Sequence, residues 1–209
     1  PMPAALAAAH IGHQIEHSSA LMGFLVGAAV GLAVGVAVVA TVASGGAALA
    51  VIAATGGAIA ATGAGALAGK YIGEAITQPK GPVITGSANV YYGPARIPAA
   101  RAVLDTVSCD DHGIRRIATG SDSVYVNQYP AVRDSDRTEC DGVVKSDLSH
   151  IRIGAETLAY LPIDSEVPDW MVNLATGMVM VGGAVALLAG GAAAFVAGSW
   201  CGLATFGLS

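Results

Sequence analysis

Charge is scarce in this sequence and is absent from two long stretches. Only 12% of the 209 residues are charged, whereas an ordinary soluble domain has about 25%. Between Glu16 and Lys70, and again after Asp169, no Asp, Glu, Lys or Arg occurs. All ten Lys and Arg residues lie between Lys70 and Arg152. The sequence therefore consists of a polar central region flanked by two segments that lack charge.

What is missing also excludes several functions. The central region has more acidic than basic residues and no basic stripe, so we do not expect a nucleic acid partner. The first apolar segment has no basic n-region and is too long for a cleaved signal peptide. No glycine-rich loop is followed by Lys-Ser or Lys-Thr, and no Ser-His-Asp set has a suggestive spacing. We therefore do not expect this chain to be an enzyme.

The two uncharged segments are long enough to cross a membrane, which needs about 20 apolar residues. Residues 20–69 have room for two helices that join near Ser44-Gly45-Gly46, and residues 170–209 have room for one long helix or two short ones that break at Gly190-Gly191. In the first segment four glycines recur at a spacing of four, which predicts one close-packing ridge on a helix: Gly23, Gly27, Gly31 and Gly35.

These segments are rich in Ala, Gly and Val, which makes them weak membrane inserters. One interpretation is a resident multipass membrane protein with close-packed helices. The other is a chain that first stays soluble, with a partner shielding its apolar faces, and enters a membrane later. Composition alone favours the resident protein.

The polar region contains an internal repeat. GSANVYYGPARIPAARAVLDTVSC (86–109) and GSDSVYVNQYPAVRDSDRTEC (120–140) both read Gly-Ser-x-x-Val-Tyr, then Pro-Ala-x-Arg, Asp and Cys. Residues 143–154 form a weaker third copy. Each copy alternates between turn residues and predicts a pair of short strands. Because such short units cannot bury a core alone, we expect a small all-β, three-sided structure.

These residues resemble the PAAR family over residues 78–163. The family is named after Pro-Ala-Ala-Arg, which stands here at Pro98-Ala99-Ala100-Arg101, and the second copy reads Pro130-Ala131-Val132-Arg133. The resemblance implies a sharp cone that binds zinc near its tip. It also implies that the cone caps the trimeric VgrG-type spike of the bacterial type VI secretion machine.

Residues 1–19 resemble the prePAAR motif, Ala-Ala-Arg-x-x-Asp-x-x-x-His, found upstream of PAAR effectors that have transmembrane segments. Here Ala8 and Ala9 are followed by His10 and His13 at the Arg and Asp positions, and His17 keeps the final position. We expect His10 and His13 to be exposed. The flanking apolar segments resemble those of effectors that use an Eag-type chaperone. The arrangement is similar to that of an NAD(P)+ glycohydrolase effector, whose toxin would follow residue 209.

A zinc site is expected in the polar region. Structural zinc takes four nitrogen or sulfur ligands in a tetrahedron. Cys109 and His112 form a first pair in a tight loop, and Cys140 stands at the equivalent end of the next repeat. The resemblance supplies His17 as the fourth ligand, and His150 is the local alternative. A disulfide between the two cysteines would need an oxidising compartment.

Other residues of the polar region have plainer roles. We expect Asp110 and Asp111 to belong to a solvated turn. Arg101 and Arg133 occupy repeated positions and are expected to bind turn carbonyls or acids at the surface of the cone.

The sequence thus predicts the delivery half of a type VI effector. Residues 1–19 are the prePAAR segment, 20–69 a translocation region, 78–163 the PAAR cone and 170–209 a second apolar region. The chain would be held by a chaperone in the producer cytoplasm, secreted on the spike, and inserted into the inner membrane of the recipient. The alternatives are a resident membrane protein with a structural zinc domain and a membrane-anchored metalloenzyme.

Overall fold

A computed structural model describes the backbone of residues 5–43, 48–154 and 156–206, and the side chains of residues 5–39, 51–154 and 156–189. The chain divides into two compact units. The β unit contains Pro1–Ser18 and Ile76–Glu166, and the helical unit contains Ser19–Ala75 and Val167–Ser209. The β unit is thus built from two pieces of sequence that the first apolar segment separates.

Three long helices make up the helical unit: α1 Ala20–Ala43, α2 Ala48–Glu74 and α3 Asp169–Phe206. Each contains a stretch that is long and apolar enough to cross a membrane, by length and composition. The predicted joint at residues 44–46 lies outside the described residues. The predicted break at Gly190-Gly191 is wrong, because α3 runs through both residues. A glycine costs a helix only about 1 kcal/mol, too little to interrupt one of this length.

Glycines let the backbones of these helices touch. A Cβ on Gly23 would lie 2.1 Å from the carbonyl oxygen of Gly69, and one on Gly27 would lie 2.1 Å from that of Gly65. The predicted glycine ridge of α1 is therefore confirmed as the face that packs on α2. On the other side of α2, a Cβ on Gly63 would lie 2.3 Å from the carbonyl oxygen of Ala175 in α3. Small residues thus replace large ones as the packing material of this unit.

The remaining helix faces expose large apolar side chains. Met22, Leu25 and Val30 of α1 and Leu187 and Leu188 of α3 are all at least half exposed. A soluble protein rarely exposes so much contiguous apolar surface. These faces therefore require lipid or another protein as their surroundings.

The β unit consists of short strands: β1 Leu6–Ala7, β2 Gln14–Ser18, β3 Thr77–Pro82, β4 Tyr91–Tyr92, β5 Ile97–Pro98, β6 Thr106–Cys109, β7 Gly113–Arg116, β8 Thr119–Ser121, β9 Tyr125–Val126, β10 Tyr129–Pro130, β11 Val143–Val144, β12 Arg152–Ile153 and β13 Thr157–Ala159. They pair in small antiparallel sheets, the largest of which has the order β11-β2-β3. The predicted all-β region of short strand units is present, with helices on either side of it in the sequence.

Three equivalent antiparallel strand pairs organise this unit: β4 with β5, β9 with β10, and β12 with β1. The first two are the predicted copies of the repeat. The third copy is not residues 143–154 alone, as the sequence predicted. Of this strand pair, these residues supply only β12, and its partner β1 comes from the N-terminus. In the third copy, Ala8-Ala9-His10 therefore takes the place of Ala99-Ala100-Arg101 in the first copy and of Ala131-Val132-Arg133 in the second.

Equivalent hydrogen bonds recur in all three copies. In each, a serine hydroxyl accepts a bond from a backbone N–H two or three residues later: Ser87 from Val90 at 3.0 Å, Ser121 from Val124 at 3.0 Å and Ser146 from Leu148 at 3.2 Å. These local turns precede the first strand of each pair. Ser146 lies in the segment that the sequence suggested as a weak third copy, so that part of the prediction is correct.

A closed ring of hydrogen bonds joins the copies at their centre. The N–H of Ala9 donates to the carbonyl of Val132 at 2.9 Å, that of Val132 to Ala100 at 3.2 Å, and that of Ala100 back to Ala9 at 2.9 Å. All three residues are completely buried in the largest apolar cluster of the unit. A cycle of three equivalent bonds gives the unit pseudo-threefold symmetry, with the N-terminal segment as one of its three members.

The repeated arginines secure two of the copies. The backbone N–H of Arg101 donates to Asp105 Oδ2 at 2.8 Å, and that of Arg133 to Asp136 Oδ2 at 2.7 Å. The Arg133 guanidinium also donates to the carbonyl of Gly154 at 3.1 Å. Acids and carbonyls are the predicted partners, but the predicted surface position is wrong for Arg133, which is completely buried. Burial raises the pKa of Asp136, and the charge of Arg133 counteracts this rise.

Candidate metal centre

The three copies converge on one cluster of cysteine and histidine side chains. Cys109 stands four residues after Asp105, Cys140 four residues after Asp136, and His17 four residues after His13. The residues midway along these segments, Val107, Thr138 and Ile15, are all completely buried. Since side chains alternate along an extended chain, the residue two positions further points to the same interior. Each copy thereby delivers one side chain to a common point.

His112 completes the cluster from the turn between β6 and β7. The N–H of His112 donates to the carbonyl of Cys109 at 3.3 Å, which closes this tight turn. Gly113 follows at a φ of +70°, a conformation that favours glycine. The turn returns the imidazole toward the thiol that precedes it.

The geometry of the cluster fits a tetrahedral ion. One ligand atom from each of His17, Cys109, His112 and Cys140 lies within 4.8 Å of the others. Cys109 Sγ is 3.3 Å from His17 Nε2 and 3.4 Å from His112 Nδ1, and Cys140 Sγ is 3.5 Å from His17 Nε2. In tetrahedral zinc, with bonds of about 2.0–2.3 Å, neighbouring ligand atoms are about 3.3–3.8 Å apart. Two thiols and two imidazoles are also a donor set that zinc prefers.

Surrounding residues orient the candidate ligands. His17 Nδ1 lies 3.2 Å from Glu166 Oε1, and Ser18 Oγ donates to the second oxygen of that carboxylate at 2.9 Å. Donation of the Nδ1 proton to Glu166 leaves the lone pair of Nε2 facing the thiols. Thr138 Oγ1 lies 3.3 Å from Cys140 Sγ. Burial is the main cause that raises the pKa of the Cys140 thiol in the absence of a cation.

Three members of the cluster are buried and the fourth is exposed. His17, Cys109 and Cys140 are at most 4% exposed, whereas His112 lies at the surface. Both cysteines are free thiols, so the disulfide alternative is not adopted. Next to the cluster, Asp111 pairs with Lys80 at 3.0 Å, and this contact holds the pKa of the carboxyl below its ordinary value. Asp111 thus belongs to an exposed turn, as expected.

The structure brings four of the five candidate residues together. His150, the alternative fourth ligand, is exposed and lies near Gly93, outside the cluster. The prediction that His10 and His13 are exposed is wrong, because they are 9% and 7% exposed and their rings stack at 3.7 Å. Sequence reasoning missed Glu166, for which no spacing gave a signal. The shared offset of four residues in the three copies was a signal that pointed to His17.

Two family models match parts of this sequence. Residues 73–146 match the family model of the PAAR motif, and residues 2–66 match a model described as the class I prePAAR effector Rhs1 motif. The chain therefore carries a prePAAR motif followed by a PAAR motif, and together they indicate a delivery module of a type VI effector. PAAR effectors associate with VgrG spikes.

One curated relative is the double-stranded DNA deaminase toxin A of Burkholderia cenocepacia (strain H111). It is 36% identical over 167 residues, and the alignment covers 78% of this chain but only 11% of the relative. The similarity therefore lies in a small part of a much longer toxin. No solved structure matches the chain.

Proposed function

We propose that this chain is the zinc-stapled spike tip and membrane-delivery region of a type VI secretion effector. The observation that carries the proposal is the cluster of His17, Cys109, His112 and Cys140, which joins the prePAAR segment to the PAAR repeats. It sits where the three copies of the repeat converge. The role is mechanical rather than catalytic.

The cluster is suited to a structural zinc ion. Four protein side chains complete a tetrahedron, and a catalytic zinc needs an open position for water. A closed site favours a structural role over the membrane-anchored metalloenzyme that was the second alternative. Zinc bound there would tie β2 to the end of β6, which carries Cys109, and to the turn that carries Cys140, and so rigidify this end of the β unit.

The pseudo-threefold symmetry of the β unit supports docking on a trimeric spike. A single chain with three equivalent faces can make the same contact with each of three subunits, which maximises the interface on a threefold axis. The hydrogen-bonded ring of Ala9, Ala100 and Val132 holds those faces in register. The family association of PAAR effectors with VgrG supports a VgrG-type spike as that trimer.

The helical unit supports storage with a chaperone and later insertion into the recipient inner membrane. Its exposed apolar faces require cover in the producer cytoplasm, which an Eag-type chaperone would provide. In the full effector a toxin domain would follow. Two different activities are indicated for that domain. The relative is named as a deaminase, whereas the sequence resemblance suggested an NAD(P)+ glycohydrolase.

A second candidate function is a resident multipass membrane protein with a structural zinc domain. The observation that favours it is the presence of three candidate spans. The two proposals differ in one respect that can be measured. A delivered effector must be kept soluble by a partner before secretion, whereas a resident protein must insert directly into the membrane of the cell that makes it.

The test is co-expression of the chain with the candidate chaperone and VgrG-type spike, purification without detergent and metal analysis. We expect a soluble ternary complex with about one zinc per chain, as four ligands hold a single ion. The control is the C109S/C140S variant, which should keep the chaperone but lose the metal. A wild-type chain found only in membranes, indifferent to both partners, would support the resident protein instead.

A further inference from the structure

The His10–His13 pair occupies the position of an ion pair in the other two copies of the repeat. In those copies the backbone N–H of the arginine donates to the aspartate that follows, at 2.8 Å for Arg101 and 2.7 Å for Arg133. In the third copy the backbone N–H of His10 donates to His13 Nδ1 at 3.1 Å. The backbone geometry is therefore retained, but two titratable imidazoles replace a permanent pair of charges.

The hydrogen bonds of the pair define its protonation state. Because His13 Nδ1 accepts a hydrogen bond, it carries no proton, and the ring proton lies on Nε2, which is 3.2 Å from Asp147 Oδ1. The Nδ1 atom of His10 lies 2.6 Å from the carbonyl of Ile11, to which it donates. A proton added to His13 can enter only at Nδ1. It would remove the acceptor that holds the backbone of His10.

The surroundings of the pair disfavour added protons. The stacked rings lie 3.7 Å apart, so two imidazolium charges would repel each other at close range. Burial, followed by the neighbouring His10, lowers the pKa of His13, although Asp147 and Asp134 act in the opposite direction. The other charged groups on the adjoining cavity wall are Glu16 and Lys145. Asp147 is itself 96% exposed, and solvent weakens its effect.

We propose that His10 and His13 form a proton-sensitive latch that holds the N-terminal segment in the third copy of the β unit and releases it in acid. The segment concerned is residues 5–13, which contribute β1 and Ala9 to the hydrogen-bonded ring. Opening the latch removes one of the three members of that ring. The inference concerns a conformational response and does not depend on delivery or on toxin chemistry.

The direction of the effect follows from linkage. The folded pKa of His13 lies below the ordinary value of about 6.5, so the released segment binds more protons than the latched one. The stabilisation by the latch is fully present above about pH 6.5 and is lost as the pH falls below that value. Between that value and its lowered folded pKa, His13 shifts the equilibrium toward release by at most about tenfold for each pH unit.

The experiment is hydrogen exchange of the full chain in detergent micelles with excess zinc, at about pH 7.5 and about pH 5.5. The reporter amides are those of Ala8 and Ala9, which donate to Ile151 and Val132. The amides of Ala102 and Ala131 in the other copies serve as internal references. After correction for intrinsic exchange, we expect protection of the reporters to fall severalfold in acid relative to the references, up to about tenfold.

The matched variant is H10R/H13D, which gives the third copy the ion pair of the other two. It should keep its reporter protection between the two pH values, because its charges persist throughout this range. Zinc ligands experience the same acid in both proteins, so their contribution cancels. Parallel loss of protection in wild type and variant, or unchanged protection in wild type, would overturn the latch.

A second measurement covers the case in which the variant does not fold. The ring resonances of His13 in the wild-type chain are followed by NMR through the same pH range. The latch predicts that His13 titrates below its ordinary value, together with a change in the amide signals of Ala8 and Ala9. Titration of His13 without any change at those amides would refute it.

Discussion

At the scale of the residue, Glu166 contacts a candidate ligand of the metal centre without belonging to the ligand set. Its carboxylate accepts a hydrogen bond from His17 Nδ1 and another from Ser18. The first bond selects the tautomer whose Nε2 can bind a cation, and its negative charge makes that nitrogen a stronger donor. Glu166, the last residue of the β unit, therefore orients the imidazole of His17.

Replacement of Glu166 tests this link. In Glu166→Gln the size is retained but the charge is lost, and we expect metal affinity to fall about 10–100-fold, as for other partners of ligating histidines. Competition with a chromophoric chelator measures the affinity. Glu156→Gln is the matched control, since Glu156 is exposed and lies outside the cluster. Equal affinities of the two variants would mean that Glu166 does not tune the site.

Two arginines of the β unit allow buried and exposed ion pairs to be compared. Arg133 and Asp136 are completely buried, whereas the side chain of Arg137, which pairs with Asp141, is 52% exposed. Arg133→Ala leaves a buried carboxylate without its counter-charge and should lower the free energy of unfolding of the β unit by about 3–5 kcal/mol. Arg137→Ala should cost about 1 kcal/mol or less, because solvent screens the pair.

Pulse proteolysis of the full chain across a urea series measures both effects. The fragment pattern distinguishes cleavage in the β unit from cleavage elsewhere. Similar losses for the two variants would contradict the assignment of Arg133 as a buried structural cation of the second copy.

At the scale of the element, the helices depend on residues that lack side chains. Gly27 of α1 faces the backbone of α2, whereas a Cβ on Gly57 of α2 would meet nothing within 4 Å. Gly27→Leu forces the two backbones apart, and we expect it to lower the stability of the helical unit by about 1–3 kcal/mol, the usual range for overpacking. Gly57→Leu should be tolerated.

Thermal unfolding in micelles, followed by circular dichroism of the helical band, compares these two glycine variants. The expected outcome is a lower midpoint for Gly27→Leu alone. A drop of the same size in Gly57→Leu would show that leucine disturbs the helices wherever it is placed, and the packing explanation would then fail.

The elements also explain how far the sequence could predict the structure. Two copies of the repeat could be recognised from the sequence because Gly-Ser-x-x-Val-Tyr and Pro-Ala-x-Arg recur with similar spacing. The third copy could be recognised only in part, because its strands β12 and β1 are far apart in the sequence. In addition, β1 has Ala7 where the equivalent strands of the other copies have proline. His10 and His13 were expected to be exposed because their burial depends on this long-range pairing. Glu166 gave no local signal at all.

At the scale of the whole molecule, the order of the chain creates a problem that the metal centre can solve. β1 and β2 belong to the β unit, yet α1 and α2 separate them in sequence from the rest of it. Closing so long an excursion costs entropy that grows slowly with its length. The hydrogen-bonded ring and the cluster at His17 both act across this gap. A bound ion would join His17 to Cys109 and Cys140 across this gap, where contacts between residues close in sequence cannot hold the two pieces of the β unit together.

Metal removal should therefore loosen the β unit and spare the helical unit. We expect a strong zinc chelator to reduce hydrogen-exchange protection at Asp110 and Thr138, whose amides donate to Lys80 and Gly142 beside the cluster. Gly23 in α1 should keep its protection, because its packing uses no ligand. The effect should reverse on addition of zinc and should also occur in acid, since the ligands must lose protons to bind. Unchanged protection at Thr138 after complete removal of the metal would mean that the site does not staple the fold.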